Sequence, residues 1–117
     1  MARVIIADDH PDCRETHIWE IKDFKPQTQI DEASNGRQLV DMVRCTQYDL
    51  VITDHEMPVM SGLKATEEIR RFNAQVPICM ISDDSIASEA LQAGATDYVP
   101  KDGNYFENFR KMLGKYL

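Results

Sequence analysis

A chain of 117 residues, 43% hydrophobic and 28% charged, has the length and balance of one folded domain, which excludes a disordered chain and leaves little room for a second core. Its formal net charge of −7 excludes the basic stripe that displaces counterions from nucleic-acid phosphate, so no direct nucleic-acid contact is expected. Cys13, Cys45 and Cys79 form neither a CxxC nor a metal-ligand spacing, no secretory leader is evident, and no apolar run approaches the ~18 residues of a membrane span; a cytoplasmic location without a membrane partner is expected.

The first predicted element is a buried strand, Val4 to Ala7, which stops on the acids Asp8 and Asp9. Pro11 suits a first helical position, and a helix is predicted from there to about Lys22, its apolar residues Cys13, Ile18 and Ile21 mixed with His17 and Glu20. A strand from Gln29 to Glu32 follows, then a helix after Gly36 with apolar residues at Leu39, Val40 and Val43. The run Leu50 to Thr53 reads as a third strand and ends at Asp54, before a Met-Pro turn and Gly62. Leu63, Thr66, Ile69 and Phe72 mark the helix after Ser61. Ile78 to Ile81 is a fourth strand, closed by Ser82; Ile86, Ala90 and Leu91 mark a short helix ending near Gly94. A last strand, Tyr98 to Val99, precedes Lys101, and Tyr105, Phe106, Phe109, Met112, Leu113 and Tyr116 give the final helix a broad apolar face.

This order is a β/α unit repeated five times, predicting an α/β fold with a parallel, doubly wound sheet covered by helices on both faces. Ligands of such sheets bind beyond the carboxyl ends of the strands, where the winding reverses. There the sequence offers Asp8 and Asp9, Asp54, Ser82 and Lys101. Carboxylates brought that close repel unless a cation lies among them, and an all-oxygen, partly hydrated donor set suits Mg2+ better than zinc. With the Lys101 ammonium opposite, the crevice has the charge to receive a phosphoryl group, and an ionised aspartate is a competent nucleophile toward it. His10, His17 and His55 have no paired spacing and receive no role, whereas Glu56 and Asp84 read as solvated residues flanking the crevice.

The motifs "ADDHP", "TDHEMPVMSG" and "AGATDYVPK", in that order, resemble those of response-regulator receiver domains of two-component signalling, from Val4 to the C-terminus. "DDHP", "EASNG" and "KD" are most similar to receivers joined to helix-turn-helix domains of the nitrate-responding class, although no such output domain follows Leu117, so residues 1–117 read as a single receiver domain. The resemblance implies a flavodoxin-like (βα)5 sheet of strand order 2-1-3-4-5. It implies a phosphorylation-controlled switch in which Asp54 takes a phosphoryl group from the phosphohistidine of a sensor histidine kinase or phosphotransfer protein. Mg2+ is the implied cofactor, with Asp9 a direct ligand, Asp8 acting partly through water, and Asp54 and the Glu56 backbone carbonyl completing the protein donors. Lys101 and Ser82 would each hold a phosphoryl oxygen. Ser82 and Tyr98 would then move and alter the face made by the fourth helix, fifth strand and fifth helix, which is read by a downstream effector or output domain. Such a chain catalyses only its own aspartyl phosphorylation and dephosphorylation.

Three departures from the family pattern stand out. Asp83 occupies a position usually filled by a small residue and should oppose an incoming phosphoryl group; the Ser82 to Gly94 segment is nearly one helical turn short; and Asp102 follows Lys101 where many receivers have proline. Two alternatives from other classes are a degenerate receiver-like interaction module and a small Mg2+-dependent phosphohydrolase. The second lacks a DxD arrangement, since the residue two after Asp54 is Glu56 and not a second aspartate. Surplus apolar surface on the final helix would permit a homodimer.

Overall fold

The computed structural model describes all of residues 1–117. Five strands, β1 (Arg3–Ala7), β2 (Gln29–Ala33), β3 (Leu50–Asp54), β4 (Ile78–Ser82) and β5 (Asp97–Pro100), alternate with five helices, α1 (Pro11–Phe24), α2 (Gly36–Cys45), α3 (Gly62–Arg70), α4 (Ala87–Ala93) and α5 (Tyr105–Tyr116). Every strand pairing is parallel and the order is β2-β1-β3-β4-β5, the flavodoxin-like arrangement expected. No helix is long and apolar enough to cross a membrane.

The continuous apolar runs of β3 and β4 are explained by their position: all residues of both strands are buried, because helices cover both faces of the sheet. Strand periodicity divides the core in two. Val4, Ile6, Leu50, Ile52 and Ile81 face Ile21 of α1 and Phe109, Met112 and Leu113 of α5. Ile5, Ala7, Val51 and Ile78 face Leu39, Val40 and Val43 of α2 and Ala65 and Ile69 of α3. Each large side chain so buried contributes on the order of 1.5–3 kcal/mol, and these two layers fix the level of every strand end.

Helix starts follow local chemistry. Asn35 accepts the Gln38 N–H at 2.8 Å to begin α2, and Ser61 accepts the Lys64 N–H at 3.2 Å to begin α3. Pro11 opens α1, which runs two residues past the expected end. The His17 ring is buried rather than solvated: Nδ1 donates to the Cys13 carbonyl at 2.7 Å and Nε2 accepts from the Tyr105 hydroxyl, so both nitrogens are satisfied.

Three apolar residues predicted on core faces lie at the surface instead. Phe72 falls beyond the end of α3, under the Arg44 guanidinium at 4.5 Å from the ring centroid. Leu91 is 54% exposed because the seven-residue α4 buries Ala90 alone. Phe106 is 46% exposed and leans on Tyr105 with ring centroids 5.0 Å apart. Cys45 is exposed as well, whereas Cys79 is buried and burial pushes its thiol pKa up.

Two glycines press the loop after β3 against the strand ends. A Cβ on Gly62 would lie 2.1 Å from the Asp54 carbonyl oxygen, and one on Gly36 would lie 2.3 Å from that of Met60. Backbone cannot yield as a flexible side chain does. Gly62→Ala is therefore expected to lower stability in urea denaturation by about 1–3 kcal/mol, the usual cost of overpacking; an unchanged midpoint would show that the loop moves freely.

Candidate functional site

Strand register builds the site. Ala7 is paired with Thr53, so the next residues, Asp8 and Asp54, emerge level at the carboxyl ends of the adjacent strands β1 and β3. Ser82 is paired with Pro100, which sets Lys101 one step beyond Ser82. The winding reverses between β1 and β3, where an open α/β sheet forms its ligand crevice. A cavity of about 240 Å³ lies there, lined in part by Asp54, Glu56, Ser82, Asp83 and Lys101.

Asp8, Asp9 and Asp54 each bring a carboxylate oxygen within 4.8 Å of the other two. Asp8 is wholly buried, Asp54 nearly so, and Asp9 partly. The Lys101 ammonium reaches Asp54 Oδ2 at 3.3 Å, and the His55 N–H donates to Asp54 Oδ1 at 2.8 Å. Asp8 Oδ1 accepts the His10 N–H at 2.9 Å, but Asp8 Oδ2 and Asp9 Oδ1 are buried and accept no hydrogen bond. At an effective dielectric of about 20, two unit charges at such separations repel by roughly 3 kcal/mol. One ammonium does not neutralise three acids. The unpartnered oxygens, their spacing and the all-oxygen chemistry together fit a hard divalent cation such as Mg2+.

Ionisation is shaped by the same crowding. Burial raises the Asp54 carboxyl above its ordinary range, Asp8 adds to that, and the opposing pull of Lys101 does not cancel it. Burial draws the Lys101 ammonium down, but Asp54 and Asp8 more than offset this, so its pKa is raised and it stays charged at neutral pH.

Ser82 is buried and its Oγ accepts the Asp84 N–H at 2.9 Å, while the Tyr98 hydroxyl donates to the Asp84 carbonyl. Tyr98 thus stands apart from the acids but shares one loop residue with Ser82. Glu56 and Asp83 are exposed at the rim, and Glu56 also lines a shallow cleft beside Asp9. Sequence reasoning did not bring His10, Cys13 or Arg14 to the site. Cys13 and His10 line the same cavity as Asp54, and Arg14 donates to the Asp8 carbonyl at 2.6 Å while pairing with Glu32 at 2.9 Å. The signal for them was their place at the start of α1, directly after the acidic pair.

The raised Asp54 pKa has a definite consequence for stability in the absence of divalent cations. Unfolded chain loses this proton near the ordinary value of about 3.9, whereas folded protein holds it to higher pH, so ionising Asp54 costs stability as pH rises through that window and the cost persists above it. With EDTA present, Asp54→Asn is expected to exceed wild type in thermal midpoint at neutral pH, with the gap closing at acid pH. A gap that widens toward acid pH would reverse the sign of the shift.

Residues 4–112 match the family model of the response regulator receiver domain. The two-component response regulator ORR41 of Oryza sativa subsp. japonica is 35% identical over 106 residues, spanning 86% of this chain and 84% of that protein. Response regulator UvrY of Escherichia coli (strain K12) is 34% identical over 104 residues, but the match spans only 48% of it, so this chain corresponds to about half of that longer relative. Among solved structures, response regulator protein TrrA of Thermotoga maritima, in complex with Mg2+-BeF, superposes with a TM-score of 0.89 at 34% identity over 100% of both chains. This chain belongs to the response regulator receiver domain family and is a phosphorylation-controlled signalling switch.

Proposed function

We propose that Asp54 is the phosphoryl acceptor, that Asp8, Asp9, Asp54 and the Glu56 backbone carbonyl hold Mg2+, and that Lys101 and Ser82 receive the phosphoryl oxygens. The observation that carries this reading is the pairing of Asp54 Oδ2 with Lys101 at 3.3 Å beside two buried carboxylate oxygens that accept no hydrogen bond. The Mg2+-BeF complex of the Thermotoga protein supports the same choice of ion.

When bound, Mg2+ would supply positive charge against the phosphoryl oxygens and relieve the repulsion among the acids. The remaining work belongs to the chain. An Asp54 carboxylate oxygen attacks the phosphorus of a phosphohistidine in line, forming a P–O bond as the P–N bond breaks, and the electron pair of that bond returns to the imidazole. Lys101, held charged by the acids around it, is placed to meet the charge that spreads over the phosphoryl oxygens. Attack by water on the acyl phosphate later regenerates Asp54 and releases inorganic phosphate. Asp83 lines the cavity and also raises the Lys101 pKa, so it adds negative charge where an anionic donor must enter.

The Asp84 backbone gives the switch a physical form. Ser82 and Tyr98 both hold Asp84, one through its N–H and the other through its carbonyl. A Ser82 hydroxyl drawn to a phosphoryl oxygen loosens its bond to Asp84, and the loop and Tyr98 are then free to take a second packing against α4 and β5. The phosphoryl donor on this reading is a sensor histidine kinase or phosphotransfer protein, and the altered face is read by an effector protein or output domain.

Intact-protein mass spectrometry after treatment with a small phosphodonor and Mg2+ tests the assignment. One base-labile phosphoryl group is expected on wild type, none on Asp54→Asn, and much slower labelling on Lys101→Ala. Equal labelling of the Asp54→Asn protein would remove Asp54 from the acceptor role.

A further inference from the structure

The acidic end of β1 faces two ligands that the phosphoryl chemistry does not use. His10 stands immediately before α1 and Cys13 lies on its first turn, three residues on, so both side chains come to the side where Asp8 ends its strand. One carboxylate oxygen of Asp8, one ring nitrogen of His10 and the Cys13 sulfur all lie within 4.8 Å of one another. Asp8 is 0% exposed, and while its Oδ1 accepts the His10 N–H, its Oδ2 has no hydrogen-bond partner. The His10 side chain is 69% exposed and its ring makes no hydrogen bond, although Nδ1 lies 3.4 Å from Asp8 Oδ1 and 3.1 Å from Asp9 Oδ1. Its ring is free to turn.

We propose that Asp8, His10 and Cys13 form a second cation site, selective for a borderline divalent ion such as Zn2+, that shares Asp8 with the carboxylate cluster and therefore competes with Mg2+. The donor set decides the selectivity. One oxygen, one imidazole nitrogen and one thiolate are poor ligands for Mg2+ but suit zinc and its neighbours in the first transition row. Zn–S and Zn–N bonds of about 2.3 and 2.0 Å place ligand atoms roughly 3–4 Å apart, so the three donors draw together slightly on binding. Three protein ligands leave one tetrahedral position for water. Coordination releases the thiol proton to solvent.

An ion held this way withdraws Asp8 from the cluster around Asp54. The site would thereby let a transition metal silence phosphoryl acceptance without touching Asp54 or Lys101. Cys13 also borders a second cavity, lined by His17, Lys101, Asn104, Tyr105 and Phe106, so the site is reachable from two sides.

Co2+ serves as the spectroscopic probe on the full chain. Titration is expected to produce a thiolate-to-Co2+ charge-transfer band that saturates at one equivalent and disappears in Cys13→Ser. Cys45 and Cys79 remain in that variant, so a band that survives there belongs to them and overturns the site. His10→Ala, which alters an exposed ring and leaves the core intact, is expected to weaken Co2+ by more than the roughly tenfold typical of losing a supporting residue; unchanged affinity also overturns it. Asp54→Asn is expected to keep the band, which separates failure here from failure of the phosphoacceptor assignment. Excess Mg2+ is expected to weaken apparent Co2+ affinity, and no competition would contradict the sharing of Asp8.

Discussion

Mutual repulsion among Asp8, Asp9 and Asp54 is the constraint on which the rest of the structure turns. Two of the three are buried, and each acid brings an oxygen within 4.8 Å of both others. No arrangement of neutral hydrogen bonds removes that strain, and two of the oxygens have no such bond at all. The protein supplies a single ammonium, Lys101, and spends it on Asp54. The remaining imbalance favours a cation among the acids, and on the proposed reading that cation in turn favours a phosphoryl group that arrives with negative charge of its own.

The fold maintains this arrangement against its own electrostatics by making every strand end rigid. Parallel register puts Asp8 and Asp54 at one level, and two apolar layers forbid either strand from slipping to separate them. A shift of one residue would turn each strand's core side chains to the opposite face, a far larger penalty than the repulsion itself. Gly62 then closes the β3–α3 loop on the Asp54 backbone, and Gly36 holds the same loop at Met60, both at distances no larger residue permits. The β4–α4 side is built differently: α4 has seven residues, buries only Ala90, and the loop before it rests on the hydrogen bonds that Asp84 donates to Ser82 and accepts from Tyr98. Rigidity on the acceptor side and looseness on the readout side are what a switch of this kind requires.

Much of this was legible in the sequence. Short, largely apolar runs that stop at an acid, a hydroxyl or an amine fix both the strands and the side chains at their ends, because a strand buried on both faces leaves only its termini for polar chemistry. Contacts that cross long stretches of chain were not legible. The bond between His17 and Tyr105 joins residues 88 apart, and nothing local to His17 distinguishes a satisfied core histidine from a surface one. Phe72 and Leu91 carry the right period yet lie outside the core, one because its helix stops first and the other because a two-turn helix covers too little sheet. His10 and Cys13 received no role from the sequence because their approach to Asp8 depends on where the end of β1 points, which periodicity does not reveal.

Thermal unfolding of wild type and Asp9→Asn, each with and without Mg2+, tests the central balance of charge most directly. Without divalent ions the variant should melt several degrees above wild type, since one source of repulsion is gone; Mg2+ should raise the wild-type midpoint through binding to the folded state and leave the variant nearly unmoved. A variant no more stable than wild type without the ion, and stabilised equally by it, would mean that these carboxylates neither strain the fold nor hold the metal.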